Sequence, residues 1–200
     1  VYSLAGTAIK SADYPGLVSA AKALPAGAVA GTIYLTPPRT SGYAFTASRD
    51  GGKITLEGYV PTLQLRDLLR DKAKAVVGSQ GTVDDKLEYA SGSPASFAAA
   101  AGFAVSSLAH VSKGSVSLSG AQVSLKGVAL GGAGFAGLLA AVQNLPAGVS
   151  IGANDVIPAA ASPYVFSVAR NNTGIELRGF APSEAVLNGL VAAAKKSCRT

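Results

Sequence analysis

The chain has 200 residues and a formal net charge of +6, with one cysteine, one histidine and no tryptophan. The length suffices for one large domain or two small ones. The single cysteine, Cys198, excludes an internal disulfide, and the single histidine, His110, excludes a histidine-based metal cluster or a Ser/His/Asp triad with a spare base.

The first 36 residues predict a strand, a helix and a second strand. The strands are expected at Tyr2 to Ala8 and about Val29 to Leu35, and the helix between them ends where proline and glycine follow Leu24. A linker with two prolines follows.

The next stretch, Tyr43 to Lys74, predicts a hairpin followed by a helix. The two strands are separated by Asp50-Gly51-Gly52, because glycine supplies the positive φ that tight turns need. Thr62 is the expected N-cap of the helix. A further strand is expected at Thr82 to Tyr89, which alternates apolar and polar residues.

A similar succession follows from Ser93 onward. Ser93 is the expected N-cap and Pro94 the expected first residue of an alanine-rich helix. Two short strands joined through Gly120, a helix at about 135–143 and a strand at 149–156 complete it.

The stretch Tyr43 to Lys74 then returns as Tyr164 to Lys195, shifted by 121 positions without a gap. The shared residues include the pairs Tyr43/Tyr164, Phe45/Phe166, Arg49/Arg170, Ile54/Ile175, Leu56/Leu177, Gly58/Gly179 and Pro61/Pro182. A fixed period of this kind indicates duplication of one structural unit. We therefore expect residues 43–77 and 164–198 to form the same strand–strand–helix unit, with Ser183 as the second N-cap.

Each expected hairpin ends its second strand with the tripeptide Leu-x-Gly. The four examples are Leu4-Ala5-Gly6, Leu56-Glu57-Gly58, Leu125-Lys126-Gly127 and Leu177-Arg178-Gly179. With the Val83-Asp84-Asp85-Lys86-Leu87 strand, this succession resembles the BON domain. The resemblance implies an α+β chain of tandem modules, small mixed sheets with helices packed on one face, at residues 1–36, 43–93, 94–158 and 164–200, the first and last of them truncated.

The alanine-rich tandem form is similar to the region before the peptidoglycan-binding domain in some OmpA-family envelope proteins. The resemblance implies a non-enzymatic periplasmic or outer-membrane-associated module, with phospholipid-surface binding proposed for the family. No OmpA-type peptidoglycan-binding segment is recognisable, so peptidoglycan would be a partner only through a domain outside this sequence. Both ends are expected to be cut from a longer protein.

The basic residues of the two repeated helices are the candidate lipid contacts. They are Arg66, Arg70, Lys72 and Lys74 in the first copy and Lys195 and Lys196 in the second. Such clusters attract anionic headgroups. The acids Asp67 and Asp71 dilute the first cluster, and a solvated helix face is the competing interpretation. We expect no nucleic-acid partner; the oligomeric state is left open.

The stretch Gly132 to Gly137 matches GxGxxG, with Asp155 about twenty residues later, as in dinucleotide-binding sites. Two observations argue against a nucleotide-binding enzyme. The preceding strand belongs to a tight hairpin, and the equivalent first-copy stretch carries Asp13 and Pro15. We expect a glycine-rich turn, no cofactor and no enzymatic activity. Asp84 and Asp85 point to opposite faces of a strand and cannot act as a carboxylate pair.

Overall fold

The protein has a mixed α+β fold, seen in a computed structural model that describes residues 1–24, 26–160, 164–171, 174–181 and 184–197. The predicted α+β class is confirmed. The strands are β1 (Tyr2–Thr7), β2 (Ala30–Thr36), β3 (Ala44–Asp50), β4 (Lys53–Val60), β5 (Thr82–Tyr89), β6 (Val111–Ser119), β7 (Gln122–Ala129), β8 (Ser150–Ile157), β9 (Phe166–Asn171) and β10 (Gly174–Gly179). The α-helices are α1 (Tyr14–Lys22), α2 (Leu63–Val77), α3 (Phe97–Ser107), α4 (Gly131–Gln143) and α5 (Glu184–Ser197). The chain divides into two compact units, Val1–Ala159 and Ala160–Thr200.

A six-stranded sheet with strand order β5-β4-β3-β6-β7-β8 organises the first unit. The antiparallel hairpin β3–β4 is followed by α2 and then by β5, which lies parallel to β4. The hairpin β6–β7 is followed in the same way by α4 and the parallel strand β8. The two halves meet through the antiparallel pair β3–β6, in which Ala47 lies opposite Val116.

Residues of the two halves that differ by 69 in number occupy equivalent positions. Phe45 faces Gly58 across the first hairpin, and Gly114 faces Gly127 across the second. Both halves bury the same set of apolar positions, namely Ile54 and Val123, Leu56 and Leu125, Val60 and Ala129, and Leu69 and Leu138. An approximate two-fold axis therefore passes between β3 and β6.

The core lies on one face of this sheet. Inward-facing apolar residues of the four central strands are buried beneath the helices, whereas the other face carries alternating polar residues such as Thr55 and Glu57. One buried and one solvated face is the usual arrangement for sheets of this kind. The helix α2 begins at the predicted cap, since the Leu65 N–H donates to Thr62 Oγ1 at 3.2 Å, and it is followed by Gly78 at φ 72°.

The helix α3 begins at Phe97, so the predicted N-cap at Ser93 and first helical position at Pro94 are wrong. Pro94 instead precedes a turn in which the Phe97 N–H donates to the Pro94 carbonyl. The Phe97 ring then packs edge-on against Tyr43 and Phe45, with centroids 4.9 Å and 6.0 Å away. This packing places α3 over the junction of β3 and β6.

The first 36 residues form the predicted strand, helix and strand. Here β1 and β2 are a separate parallel pair, with Leu4 opposite Ile33. The ring centroids of Tyr14 in α1 and Tyr89 in β5 lie 5.4 Å apart. This contact attaches the segment to β5, the edge strand of the six-stranded sheet.

In the second unit, β9 and β10 form an antiparallel hairpin that precedes α5. Phe166 faces Gly179, as Phe45 faces Gly58 in the first unit. Gly58 and Gly179 both have a positive φ, 106° and 127°, and a Cβ on either would lie within 3.0 Å of the facing backbone. Both stretches thus have the element order strand, strand, helix; the duplication and the BON-like modules remain predictions. The expected cap Ser183 lies outside the described residues.

Candidate functional site

The four candidate basic residues of α2 do not share one side of the helix. At 3.6 residues per turn, Arg66, Arg70 and Lys74 follow one another on the side nearest β5. Lys72 lies on the side nearest α3, since a Cβ built on Gly102 would be 3.8 Å from its Nζ atom. The structure therefore brings three of these cations together and separates the fourth.

Arg66 is held against β5. Its Nε donates to Asp85 Oδ2 at 2.8 Å, and its guanidinium lies 5.2 Å from the centre of the Tyr89 ring. Burial disfavours the charged guanidinium, but the hydrogen bonds and the charge attraction of Asp85 and Tyr89 together outweigh it and raise the pKa of Arg66. The side chains of Arg66 and Asp85 are 24% and 14% exposed, so this pair fastens the helix to the sheet.

The other two cations of this side are paired with acids of the same helix. Arg70 Nη2 lies 2.7 Å from Asp67 Oδ1, and Lys74 Nζ lies 3.9 Å from Asp71 Oδ1. With the Arg66–Asp85 pair, each of the three cations has a carboxylate partner, so this side of α2 carries no net charge. Exposed pairs of this kind contribute little to stability, about 0–1 kcal/mol each.

Lys195 and Lys196 lie in a different environment. Both side chains are exposed near the end of α5, and neither has an ion pair among the described residues. They border a groove of about 770 Å³, which we call the α5 groove, lined otherwise by Ile175, Leu177, Val191, Ala192 and Ala194. The site therefore combines an apolar floor with two exposed lysines.

Among the described residues, no strand pairs with the edge of β10 that faces away from β9. In the first unit, Ile54 and Leu56 are fully buried, with β5 beside β4 and α2 packed on both strands. Among the described residues of the second unit, β10 pairs only with β9, and the aligned residues Ile175 and Leu177 are partly rather than fully buried. The sequence interpretation missed the α5 groove, because Ile175 and Leu177 have the same pattern as the buried Ile54 and Leu56.

The glycine-rich stretch is helical rather than a turn, so that prediction is wrong. The helix α4 begins at Gly131, and a Cβ on Gly134 would lie 2.7 Å from the His110 carbonyl oxygen. A Cβ on Gly137 would lie 2.6 Å from the His110 ring. Close packing of α4 on the residue that ends the one-turn 3-10 helix Leu108–His110 thus accounts for two of the glycines.

One sequence argument against a nucleotide site is also wrong. The strand β7 belongs to a hairpin, as expected, but it also begins a parallel strand–helix–strand unit with α4 and β8. Topology alone therefore does not oppose a dinucleotide site. The packing of Gly134 and Gly137 on His110 gives a structural reason for the motif that involves no phosphate.

Asp84 forms an ion pair with Lys53, whereas Asp85 binds Arg66, so the two carboxylates do lie on opposite faces of β5. Within the described ranges, no three His, Cys, Asp or Glu residues lie together in a way that could hold a metal ion.

The same ranges contain no helix with the length and apolar character needed to span a membrane. No family model matches the sequence, and no curated protein matches it either.

Proposed function

We propose that this chain is a non-catalytic module of the bacterial cell envelope that spaces or docks a longer OmpA-like protein and contacts anionic phospholipid. Three hairpins, β3–β4, β6–β7 and β9–β10, carry Leu-x-Gly in their second strand, whereas Leu4-Ala5-Gly6 lies in the parallel pair β1–β2. This BON-like succession supports the envelope setting, which is periplasmic or associated with the outer membrane. The observation that carries the lipid contact is the α5 groove, where apolar side chains adjoin Lys195 and Lys196.

An anionic phospholipid matches both parts of this site. Its headgroup attracts lysines near the surface by about 1 kcal/mol each at low salt. Its acyl region is compatible with the apolar side chains Ile175, Leu177 and Val191, whose burial is favourable. The α2 cluster is a poorer candidate because Arg66, the most buried of its cations, already binds Asp85.

Vesicle co-sedimentation of the 200-residue chain tests this function. Binding to vesicles of phosphatidylglycerol and phosphatidylcholine should exceed binding to phosphatidylcholine alone, and it should fall with salt because the Debye length is about 10 Å at 0.1 M. The double variant Lys195→Gln/Lys196→Gln should lose about 2 kcal/mol of binding free energy, so its partition coefficient onto anionic vesicles should fall about thirty-fold at low salt.

The matched control is Lys113→Gln/Lys126→Gln, which removes the same charge from the first unit. It should retain most of the binding, and so should Lys72→Gln/Lys74→Gln. Absence of binding to anionic vesicles at low salt would show that lipid is not a partner. An equal loss in all three variants would show that only net charge matters and that the α5 groove is not the site.

A further inference from the structure

Among the described residues, the outer edge of β9 is not paired with another strand. The Phe180 N–H donates to the Val165 carbonyl, and hydrogen-bonded pairs alternate along an antiparallel ladder. Phe166, Val168 and Arg170 therefore direct their backbone N–H and C=O groups away from β10. Among the described residues, β9 has no strand on that side.

The first unit contains the same edge with a strand bound to it. In that unit β3 corresponds to β9, and its outer edge pairs with β6. Ala47 is then fully buried and Phe45 is 1% exposed, whereas the corresponding Val168 and Phe166 are 59% and 39% exposed. The first unit thus shows what kind of element covers this edge.

The β3–β6 pair joins equivalent strands. Ala47 and Val116 occupy equivalent positions in the two halves of the sheet and face each other directly. Ala47 and Val116 form a hydrogen-bonded pair of the ladder. The Gly51 N–H donates to the Ser112 carbonyl, and hydrogen-bonded pairs recur at every second residue from there. A strand of this type is therefore geometrically suited to pair with another copy of itself.

We propose that two copies of this chain associate through antiparallel pairing of their β9 strands about a two-fold axis. Val168 faces Val168 of the second copy, and Phe166 faces Arg170 of the second copy. The interface is isologous, as in most closed dimers. It continues the sheet across the two copies in the way that β3 and β6 continue it within the first unit.

The side chains of β9 are compatible with this pairing. Ser167 and Ala169 are small and lie on the opposite face, like Thr46 and Ser48 in β3. The strand FSVARN has no lysine or proline, and its ladder with β10 has no bulge. Its one charged residue, Arg170, aligns with Arg49 of β3, which pairs with β6 in the first unit. The surface is distinct from the α5 groove, which adjoins β10, so this inference does not rest on the proposed lipid contact.

Position-specific disulfide formation tests the register in the full chain. With Cys198 replaced by serine, Val168→Cys should form a disulfide-linked dimer under mild oxidation, because facing Cα atoms of a hydrogen-bonded pair lie about 5.5 Å apart. The control Phe166→Cys should not, because the two copies of that residue would be four positions apart, about 13 Å along the strand. Cross-linking at 166 but not at 168 would overturn the proposed register.

Sedimentation equilibrium tests the association itself. The unmodified chain should approach a molar mass of twice 19.8 kDa as its concentration rises. Val168→Lys places two like charges opposite each other and should weaken the dimer at least about tenfold, whereas Val168→Thr should change it little. Both substitutions are at an exposed position, so circular dichroism should show folded chains. A monomer at about 0.1 mM, or a dimer unaffected by Val168→Lys, would refute the proposal.

Discussion

Leu69 on α2, Leu138 on α4 and Leu190 on α5 differ in burial, and the predicted repeat aligns Leu69 with Leu190. Leu69 and Leu138 are fully buried, whereas Leu190 is partly exposed. Replacing a buried leucine by alanine removes about three carbon groups, or about 2.4 kcal/mol of transfer free energy. The unfilled cavity adds to this cost, so Leu69→Ala and Leu138→Ala should each lower the free energy of unfolding by about 3–4 kcal/mol.

Leu190→Ala should cost about 1 kcal/mol, because part of its side chain already contacts solvent and the site can collapse. Urea denaturation followed by circular dichroism at 222 nm measures the loss. Hydrogen exchange by mass spectrometry then assigns it to α2, α4 or α5, since the two units need not unfold together. If Leu190→Ala costs as much as Leu69→Ala, the helix α5 is as well covered as α2, and the open α5 groove is refuted.

Three further predictions concern the first unit. Gly134→Ala should destabilise the protein by about 1–3 kcal/mol, because its Cβ would lie 2.7 Å from a backbone carbonyl oxygen. Gly132→Ala should stabilise it by up to about 1 kcal/mol, because no atom lies within 4 Å of the new Cβ. Thermal melts measure both changes. Burial raises the pKa of Tyr43 well above its usual value near 10, so just above pH 10 the Tyr43 hydroxyl ionises only in the unfolded chain. The free energy of unfolding should therefore fall as the pH rises above 10. Urea titrations below and above pH 10 should show a smaller fall in the free energy of unfolding for Tyr43→Phe than for the unmodified chain. An equal fall would show that Tyr43 is not the cause. Arg66→Met should cost about 1–3 kcal/mol by leaving Asp85 unpaired, and adding Asp85→Leu should recover part of that loss in a double-mutant cycle.

The local structure was largely predictable because its signals are local. Alternating apolar residues in β4 and β5 gave the right strands, and Thr62 gave the right helix start. The error at Pro94 has a simple cause, since Ser93 and Pro94 match a helix start but Phe97 packs against Tyr43 and Phe45. A contact between distant segments decided where that helix begins.

The candidate site was only partly predictable. Spacing alone places Arg66, Arg70 and Lys74 on one side of α2. It does not predict that Asp85 lies beside Arg66, because the two residues belong to different elements. The glycines of α4 matched a phosphate-binding pattern because sequence does not reveal the backbone against which a helix packs. Here that backbone belongs to His110.

The sequence by itself determined the type and order of the elements, since hydrophobic period, turn glycines and caps act over a few residues. Only the tertiary structure decided which edges and faces are covered. Ile54 and Ile175 have the same local pattern, yet one is fully buried and the other lines a groove. The physical reason is that burial depends on neighbouring strands and helices from elsewhere in the chain. The elements β5, α3 and β6 contact the first hairpin, whereas among the described residues no further strand pairs with β9 or β10.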